Sequence, residues 1–311
     1  MGVYTGNKRE LFRGLDGTSS RDFVFYSNIL ISHGLISDGT TISHDACRQQ
    51  VLNYLLMHEE KEREDQISWL NHKRNIYMLP REFFEWLEND ERACCWAWGR
   101  LIIKPITPPV QSAFSFIENY KGFNETDFYS KPRIYPSNQK ERLEAIIYFF
   151  DTTGYLLDFL TNTIETMKEA WATIYNNAHP LKFISPTNSE QCEWAWNYLN
   201  EHQMALSIFK PMNYSEKYLA TVASLDLNDT HKDTKKLFTI SMKKAWDQKK
   251  YRQKQEGKKP LNTYIRKETK AKLDWLSEQR GQNINKTIEW LIDKEYESHI
   301  NAQGFWEERF K

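Results

Sequence analysis

The chain has 311 residues, and its 42 basic and 42 acidic side chains give a net charge of zero. This length suits two domains, and an aromatic share of 14% can fill a core, which argues against wholesale disorder. No apolar run is long enough to cross a bilayer, and Met1–Arg13 lacks the apolar core of a signal peptide, so we expect a cytoplasmic protein without a membrane partner.

The N-terminal third of the chain is predicted to be helical. Apolar residues recur at helical spacing over 46–57 and 80–103, so residues 1–103 are predicted to form a helical domain of unknown role. Five of the ten prolines follow between 104 and 137. Because proline interrupts helices, we expect residues 104–138 to be a linker or an irregular segment.

The middle of the chain, residues 139–242, is predicted to be a helical bundle. Two long helices are expected at about 139–150 and 155–176, because apolar residues there form one stripe at helical spacing. A weak internal echo links 94–101 to 192–199, since both contain Trp-x-Trp and both are followed by Lys-Pro. The echo indicates either a duplication or two unrelated core helices, and the sequence leaves both open.

A basic block precedes the C-terminal region. From Lys243 to Lys272, twelve basic side chains stand against three acidic ones, a local charge of 12 − 3 = +9 that leaves −9 on the rest of the chain. Such a block suits a polyanion, whereas a solvated helix face is the ordinary alternative. The block leads directly into a strand-like pattern at 261–265, and this position favours a polyanion site. Residues 243–257 are predicted to form a basic lead-in helix.

Residues 261–265 alternate between apolar and polar side chains, which is the pattern of a short strand. Leu261, Thr263 and Ile265 alternate with polar neighbours, which indicates one buried face. A lone strand leaves its hydrogen-bonding groups unpaired, and two short helices cannot bury their apolar surface alone. Pairing with the same strand of a second chain would solve both problems, so a homodimer with a two-stranded ribbon is expected.

Two helices are predicted after this strand. Helical spacing runs to Arg280, and Gly281 suits the left-handed position just past a helix end. Asn283 and Asn285 are candidates to cap the second helix. The apolar face of that helix is expected to consist of Ile284, Ile288, Leu291 and Ile292.

This order of strand, helix, glycine and polar-capped second helix resembles the ribbon-helix-helix family of the MetJ and Arc type. The resemblance implies a dimer whose ribbon enters the major groove of double-stranded DNA. The positions that correspond to base-reading residues are Asn262, Tyr264 and Arg266. Asparagine and arginine suit paired hydrogen bonds to adenine and guanine, whereas Tyr264 departs from the basic or amide residue usual in the family.

The same resemblance implies a phosphate site at the start of the second helix, where backbone N–H groups can bind an anion. The basic lead-in is expected to add further contacts to the DNA backbone. The residues predicted to contact phosphate are Asn283, Ile284, Asn285, Lys286, Lys249, Lys250, Arg252, Lys254, Lys258 and Lys259.

Residues from about 191 to 300 also resemble the MatP family, which organises the chromosome terminus region. The resemblance rests on the run Trp194-Ala195-Trp196-Asn197-Tyr198-Leu199, on the basic helix 243–254 and on the lysine pair at 258–259. MatP proteins continue into a coiled coil that bridges DNA-bound dimers. Only about eleven residues follow Ile300, too few for that coiled coil, so we do not expect bridging by that route.

The predicted fold class is mainly α: an N-terminal helical region, a central helical bundle and a C-terminal ribbon-helix-helix module at 258–311 with one short intermolecular β-strand. We expect a sequence-specific protein that binds palindromic DNA as a homodimer at the nucleoid, in DNA organisation, segregation or transcriptional repression. The alternative is a scaffold or effector-regulating protein, in which residues 1–180 bind a protein partner and the DNA module serves targeting or autoregulation.

No enzymatic activity is predicted. The chain has no glycine-rich phosphate loop, no G-x-S-x-G and no H-E-x-x-H. Its four cysteines show neither metal-binding nor disulfide spacing, so no metal or other cofactor is expected, and Cys94 and Cys95 are predicted to be a buried core pair. An enzyme with a DNA-targeting tail is the third hypothesis, because active-site residues need not be adjacent in sequence.

Overall fold

A computed structural model describes residues 12–37, 43–104, 106, 136–177 and 179–303, with side chains up to residue 300. Most of the linker predicted at 104–138 lies outside these residues. The chain divides into two compact units, residues 1–246 and residues 247–311. The α-helices are α1 Ser20–Ser32, α2 His44–Leu56, α3 Glu60–Tyr77, α4 Glu85–Glu88, α5 Glu91–Ile103, α6 Gln139–Thr152, α7 Leu157–Asn176, α8 Ser189–Glu201, α9 Tyr214–Leu227, α10 Lys232–Lys254, α11 Lys267–Arg280 and α12 Ile284–Gln303.

The prediction of a C-terminal β-strand is wrong. Among the described residues there is no strand, and 258–266 has no regular secondary structure. A strand is defined by its hydrogen-bonded ladder with a neighbour, and no backbone hydrogen bond joins Leu261, Thr263 or Ile265 to another segment of the described chain. Alternating apolar and polar side chains indicate only a local preference for an extended conformation. The fold class is therefore corrected: the described residues form helices, without the predicted ribbon.

The first unit begins with a small helical cluster. Helix α1 starts with a capping box, in which the hydroxyl of Ser19 and the carboxylate of Asp22 each bond to backbone N–H groups of the first turn. The hydroxyl of Ser43 caps α2 by accepting from the N–H of Ala46. One apolar core joins α1, α2 and α3, and its fully buried side chains include Phe25 and Leu70.

Helix α5 lies in the largest apolar cluster of the described residues and packs against α6 and α9. The carboxylate of Asp90 caps it by accepting from the N–H groups of Arg92 and Ala93. Gly99 allows the close approach of α9, because a Cβ at this position would lie 2.5 Å from Cδ1 of Leu227. The predicted helix over 80–103 is therefore confirmed at its C-terminal end, after a short 3-10 turn and helix α4.

The two long central helices are confirmed as α6 and α7, and Gly154 takes a left-handed φ of 68° in the break between them. A further apolar cluster joins α8, α9 and α10, with Trp194 and Trp246 in ring contact at 4.9 Å. Buried ion pairs link distant helices of this unit, and three of them are Arg21–Asp151, Arg92–Asp226 and Arg142–Glu216.

The second unit contains a helical hairpin, α11 and α12. Gly281 has a φ of +60° directly after α11, and its N–H donates to carbonyl groups of the last turn, as the sequence predicted. Inside the hairpin, Ser277 donates to Thr287 over 3.1 Å, and both side chains are buried. Leu273 is the single buried apolar side chain within residues 247–300, so the hairpin has a very small core.

Candidate nucleic-acid interface

The basic block, Lys243 to Lys272, begins in the second half of α10 and continues into the second unit. Eleven of its twelve lysine and arginine side chains are exposed, and Lys249 is half-buried. Asp247 pairs with Lys250 at 3.1 Å, and Asp274 pairs with Lys270. Several other basic side chains of the block have no carboxylate of the described residues within ion-pair distance, and these include Arg252, Lys254, Lys258 and Lys259. The block therefore carries a dense positive charge that its own acidic residues do not neutralise.

The residues predicted to read bases lie in and beside segment 258–266. The side chain of Tyr264 is fully exposed, at 106% of its reference area, and Asn262 is also exposed. Arg266 takes the N-cap position of α11, with φ −62° and ψ 150°. These three side chains are accessible to a ligand, in a segment whose backbone hydrogen bonds are not committed to a helix or strand.

The predicted buried face of this segment is not buried in the single chain. Leu261 and Ile265 are exposed, at 66% and 45% of their reference areas. In the hairpin, Trp275 and Ile292 are exposed as well. The apolar face predicted for the second helix is thus covered only in part, since Ile284, Ile288 and Leu291 are half-buried.

The start of α12 has the geometry of an anion site. Asn283 is the residue before the helix, and its side-chain oxygen accepts from the N–H of Lys286 over 3.0 Å. The N–H groups of Ile284 and Asn285 have no acceptor among the described residues. Two of the first-turn donors therefore remain for a phosphate, while the third is occupied by the cap.

Cation–π contacts in the hairpin were missed by the sequence reasoning. The guanidinium of Arg280 lies 3.2 Å from the ring centroid of Trp290, and the ammonium of Lys294 lies 4.9 Å from the same centroid. These contacts join the end of α11 to α12 around Gly281. Exposed Lys267 and Lys272 on α11 also lie in the basic block, although they were not named as site residues.

The structure places all of the predicted DNA-contacting residues in the unit formed by residues 247–311. They come from three successive segments: the last turns of α10, segment 258–266 and the first turn of α12. Within the described ranges, no cluster of three or more histidine, cysteine or acidic side chains could hold a metal ion. No described helix has the length and apolar character that a membrane span requires.

Comparisons with protein-family models, with curated proteins and with solved structures give no match to this chain.

Proposed function

We propose that the protein binds double-stranded DNA as a homodimer through residues 247–311, and that it serves DNA organisation or transcriptional repression at the nucleoid. One observation carries the proposal: exposed, unneutralised basic side chains at 252–259 lead directly into the exposed polar side chains of Asn262 and Tyr264.

Electrostatics supplies the affinity in this proposal. Duplex DNA carries one negative charge per about 1.7 Å of its axis, and each phosphate neutralised releases counterions. Arg252, Lys254, Lys258 and Lys259 lie within eight residues and are all exposed, so they offer a compact set of partners for consecutive phosphates. The N–H groups of Ile284 and Asn285 offer a further phosphate contact that fixes the orientation of the hairpin.

Sequence preference would come from segment 258–266. Asn262 has the paired donor and acceptor that match the major-groove edge of adenine, and Arg266 has the paired donors that match guanine. Because the segment is neither helix nor strand in the single chain, it can adopt the shape of the groove when it binds. The proposal therefore requires no preformed β-structure.

A second copy of the chain would bury the apolar side chains of this unit that are exposed in the single chain. The unit has about 65 residues, and among residues 247–300 only one apolar side chain is buried. A core of this size does not offset the entropy of ordering two helices. Leu261, Trp275 and Ile292 are exposed and would be covered by the same residues of a partner. A two-fold dimer favours an inverted-repeat DNA site.

The experiment that tests this function is a selection from random duplex DNA with the full chain at physiological salt. We expect enrichment of an inverted repeat. Asn262→Ala is expected to weaken binding to the enriched site by about 1–3 kcal/mol and to relax base preference at one position of each half-site. Absence of enrichment, together with no salt-sensitive binding to any duplex, would refute the proposal.

Salt titrations separate backbone contacts from base contacts. A variant with alanine at Arg252, Lys254, Lys258 and Lys259 should lose affinity for every duplex. The slope of log K against log salt should become shallower by about three to four units per chain, because each phosphate contact contributes about 0.9. The matched control removes four exposed lysines from the other unit and should leave the slope unchanged; these are Lys61, Lys140, Lys232 and Lys236.

Sedimentation of the full chain tests the dimer independently of DNA. A dimer at micromolar concentration is expected, and Ile292→Asp should shift it toward monomer because a buried carboxylate is costly. Ile240→Asp is the control, since Ile240 is also exposed but lies in the other unit. A wild-type chain that stays monomeric at high concentration would contradict the dimer while leaving DNA binding to be judged by the selection.

A further inference from the structure

A cleft of about 830 Å³ lies within the first unit, among the start of α5, the end of α7 and the start of α9. Aromatic side chains form much of its wall, namely Trp86, Trp171, Tyr175 and Tyr218. Trp171 is buried and Tyr175 is exposed, with their ring centroids 6.4 Å apart. This size and lining suit a small ligand with a flat ring, because planar rings stack on aromatic walls.

Arg92 is held rigidly at this cleft. Its Nε and Nη2 atoms donate to the two carboxylate oxygens of Asp226, each over 2.9 Å, and its guanidinium lies 5.4 Å from the ring centroid of Trp171. Its Nη1 group has no acceptor among the described residues. Three of the five N–H donors of Arg92 therefore remain beyond the two bound to Asp226, and two of these three are on Nη1.

The hydrogen bonds of His179 fix the direction of a second donor. Its Nδ1 atom accepts from the N–H of Leu181 over 3.1 Å, so in the neutral ring the proton must lie on Nε2. That Nε2–H donates to the hydroxyl oxygen of Tyr218 over 3.3 Å. The hydroxyl proton of Tyr218 is then available to another acceptor.

Burial, with a smaller contribution from the charge of Arg92, lowers the pKa of His179. The lowered pKa favours the neutral ring on which this assignment depends.

The acidic residues around the cleft are already engaged or peripheral. Asp226 pairs with Arg92, and Asp90 caps α5 through two backbone N–H groups. Glu91 also lines the cleft and is exposed to solvent, where its charge is screened. Lys168 lies on the lining and is exposed, with no carboxylate within ion-pair distance among the described residues. Nη1 of Arg92 and the ammonium of Lys168 are therefore cationic donors at the cleft that no carboxylate of the described residues binds.

We infer that this cleft binds a small planar aromatic anion of the aromatic carboxylate class. The ring packs against the aromatic wall at Trp171 and Tyr175. The carboxylate accepts from the hydroxyl of Tyr218, from Nη1 of Arg92 and from the ammonium of Lys168. Charge-assisted hydrogen bonds of this type select an anion over a neutral analogue of the same shape.

Calorimetric titration of the full chain with 2-naphthoate tests the inference, and 2-naphthalenemethanol serves as the neutral probe with the same ring. We expect saturable binding of one naphthoate per chain and binding of the alcohol that is at least about tenfold weaker. No saturable binding of naphthoate, or equal binding of both probes, would overturn the inference.

Two variants locate the site. Tyr218→Phe and Lys168→Ala should each weaken naphthoate binding by about threefold to tenfold and should leave binding of the alcohol unchanged. Tyr251→Phe and Lys140→Ala are the matched controls, since both are exposed side chains outside the cleft lining. Because Lys168 is exposed, Lys168→Ala keeps the fold even if Tyr218→Phe lowers stability. Unchanged naphthoate affinity in Lys168→Ala and in a folded Tyr218→Phe would assign the binding to another place and refute this site.

Discussion

Substitution of Arg21 by methionine should destabilise the first unit strongly. Arg21 donates from Nε and Nη2 to the two carboxylate oxygens of Asp151, over 2.7 and 2.6 Å, and from Nη2 to the carbonyl of Leu79 over 2.7 Å. The side chain of Asp151 is 3% exposed and that of Arg21 is 16% exposed. The pair joins α1 to α6, so its loss affects two packed helices as well as one contact.

The size of the expected loss in unfolding free energy follows from the burial of Asp151. Arg21→Met leaves the carboxylate of Asp151 buried without its counter-ion, a change that costs about 3–5 kcal/mol. Methionine keeps most of the aliphatic volume, so little of this loss comes from a cavity. The double variant Arg21→Met/Asp151→Leu should recover most of the loss, because replacing both partners of a buried pair by apolar side chains is often nearly neutral.

The loss should depend on pH in a defined direction. Burial raises the pKa of Asp151, even though the hydrogen bonds and charge of Arg21 act to lower it. Without Arg21 that pKa rises further, so the folded variant takes up a proton more readily than the unfolded chain. Stability then increases as pH falls through the folded-state pKa, and the deficit of Arg21→Met should be smaller at about pH 5 than at about pH 7.

Urea unfolding followed by tryptophan fluorescence measures this deficit at both pH values. Arg81→Met is the control, because the Arg81–Glu88 pair is largely exposed and should contribute at most about 1 kcal/mol. A deficit for Arg21→Met as small as that of the control, or one that grows on acidification, would refute the reasoning about a buried, counter-ion-dependent carboxylate.

Three further changes test local features of the fold. Gly99→Ala should cost at most about 1 kcal/mol in thermal unfolding, because its Cβ would meet Cδ1 of Leu227 at 2.5 Å and the end of that side chain can turn aside. A loss of several kcal/mol would show that Leu227 cannot move. Asn283→Ala should cost about 1 kcal/mol of hairpin stability by removing the cap on Lys286, and circular dichroism of the full chain would measure it. Burial raises the pKa of Cys94 to about 12, so iodoacetamide should modify this thiol at neutral pH only after urea is added, and rapid labelling of the folded chain would contradict its burial.

Local interactions account for what the sequence predicted correctly. The positions of α6 and α7 follow from apolar spacing within each helix, and the roles of Gly281 and Asn283 follow from backbone geometry within one turn. The burial of Cys94 follows from its apolar neighbours on the same helix. Each of these features depends on residues close in the chain, which is the range over which a pattern carries information.

Long-range partners account for what the sequence did not predict. The alternation at Leu261, Thr263 and Ile265 suggested a strand, but a ladder needs a second segment, and the described chain supplies none. The Arg21–Asp151 pair joins residues 130 positions apart, so neither partner has a local pattern that identifies the other. The cleft is built likewise from separate helices, and no spacing in the sequence could indicate it.

In the second unit, different residues determine geometry and stability. Polar and cation–π contacts join α11 to α12, namely the Ser277–Thr287 hydrogen bond and Arg280 on Trp290. These contacts are directional, but they bury little apolar surface, so they can fix the geometry of the hairpin without stabilising it alone. In the proposed function, burial of the exposed apolar side chains in a dimer would add stability, and the basic side chains would add DNA affinity. Because these two sets of side chains do not overlap, the proposal predicts that substitutions in one set weaken dimerisation or DNA binding separately.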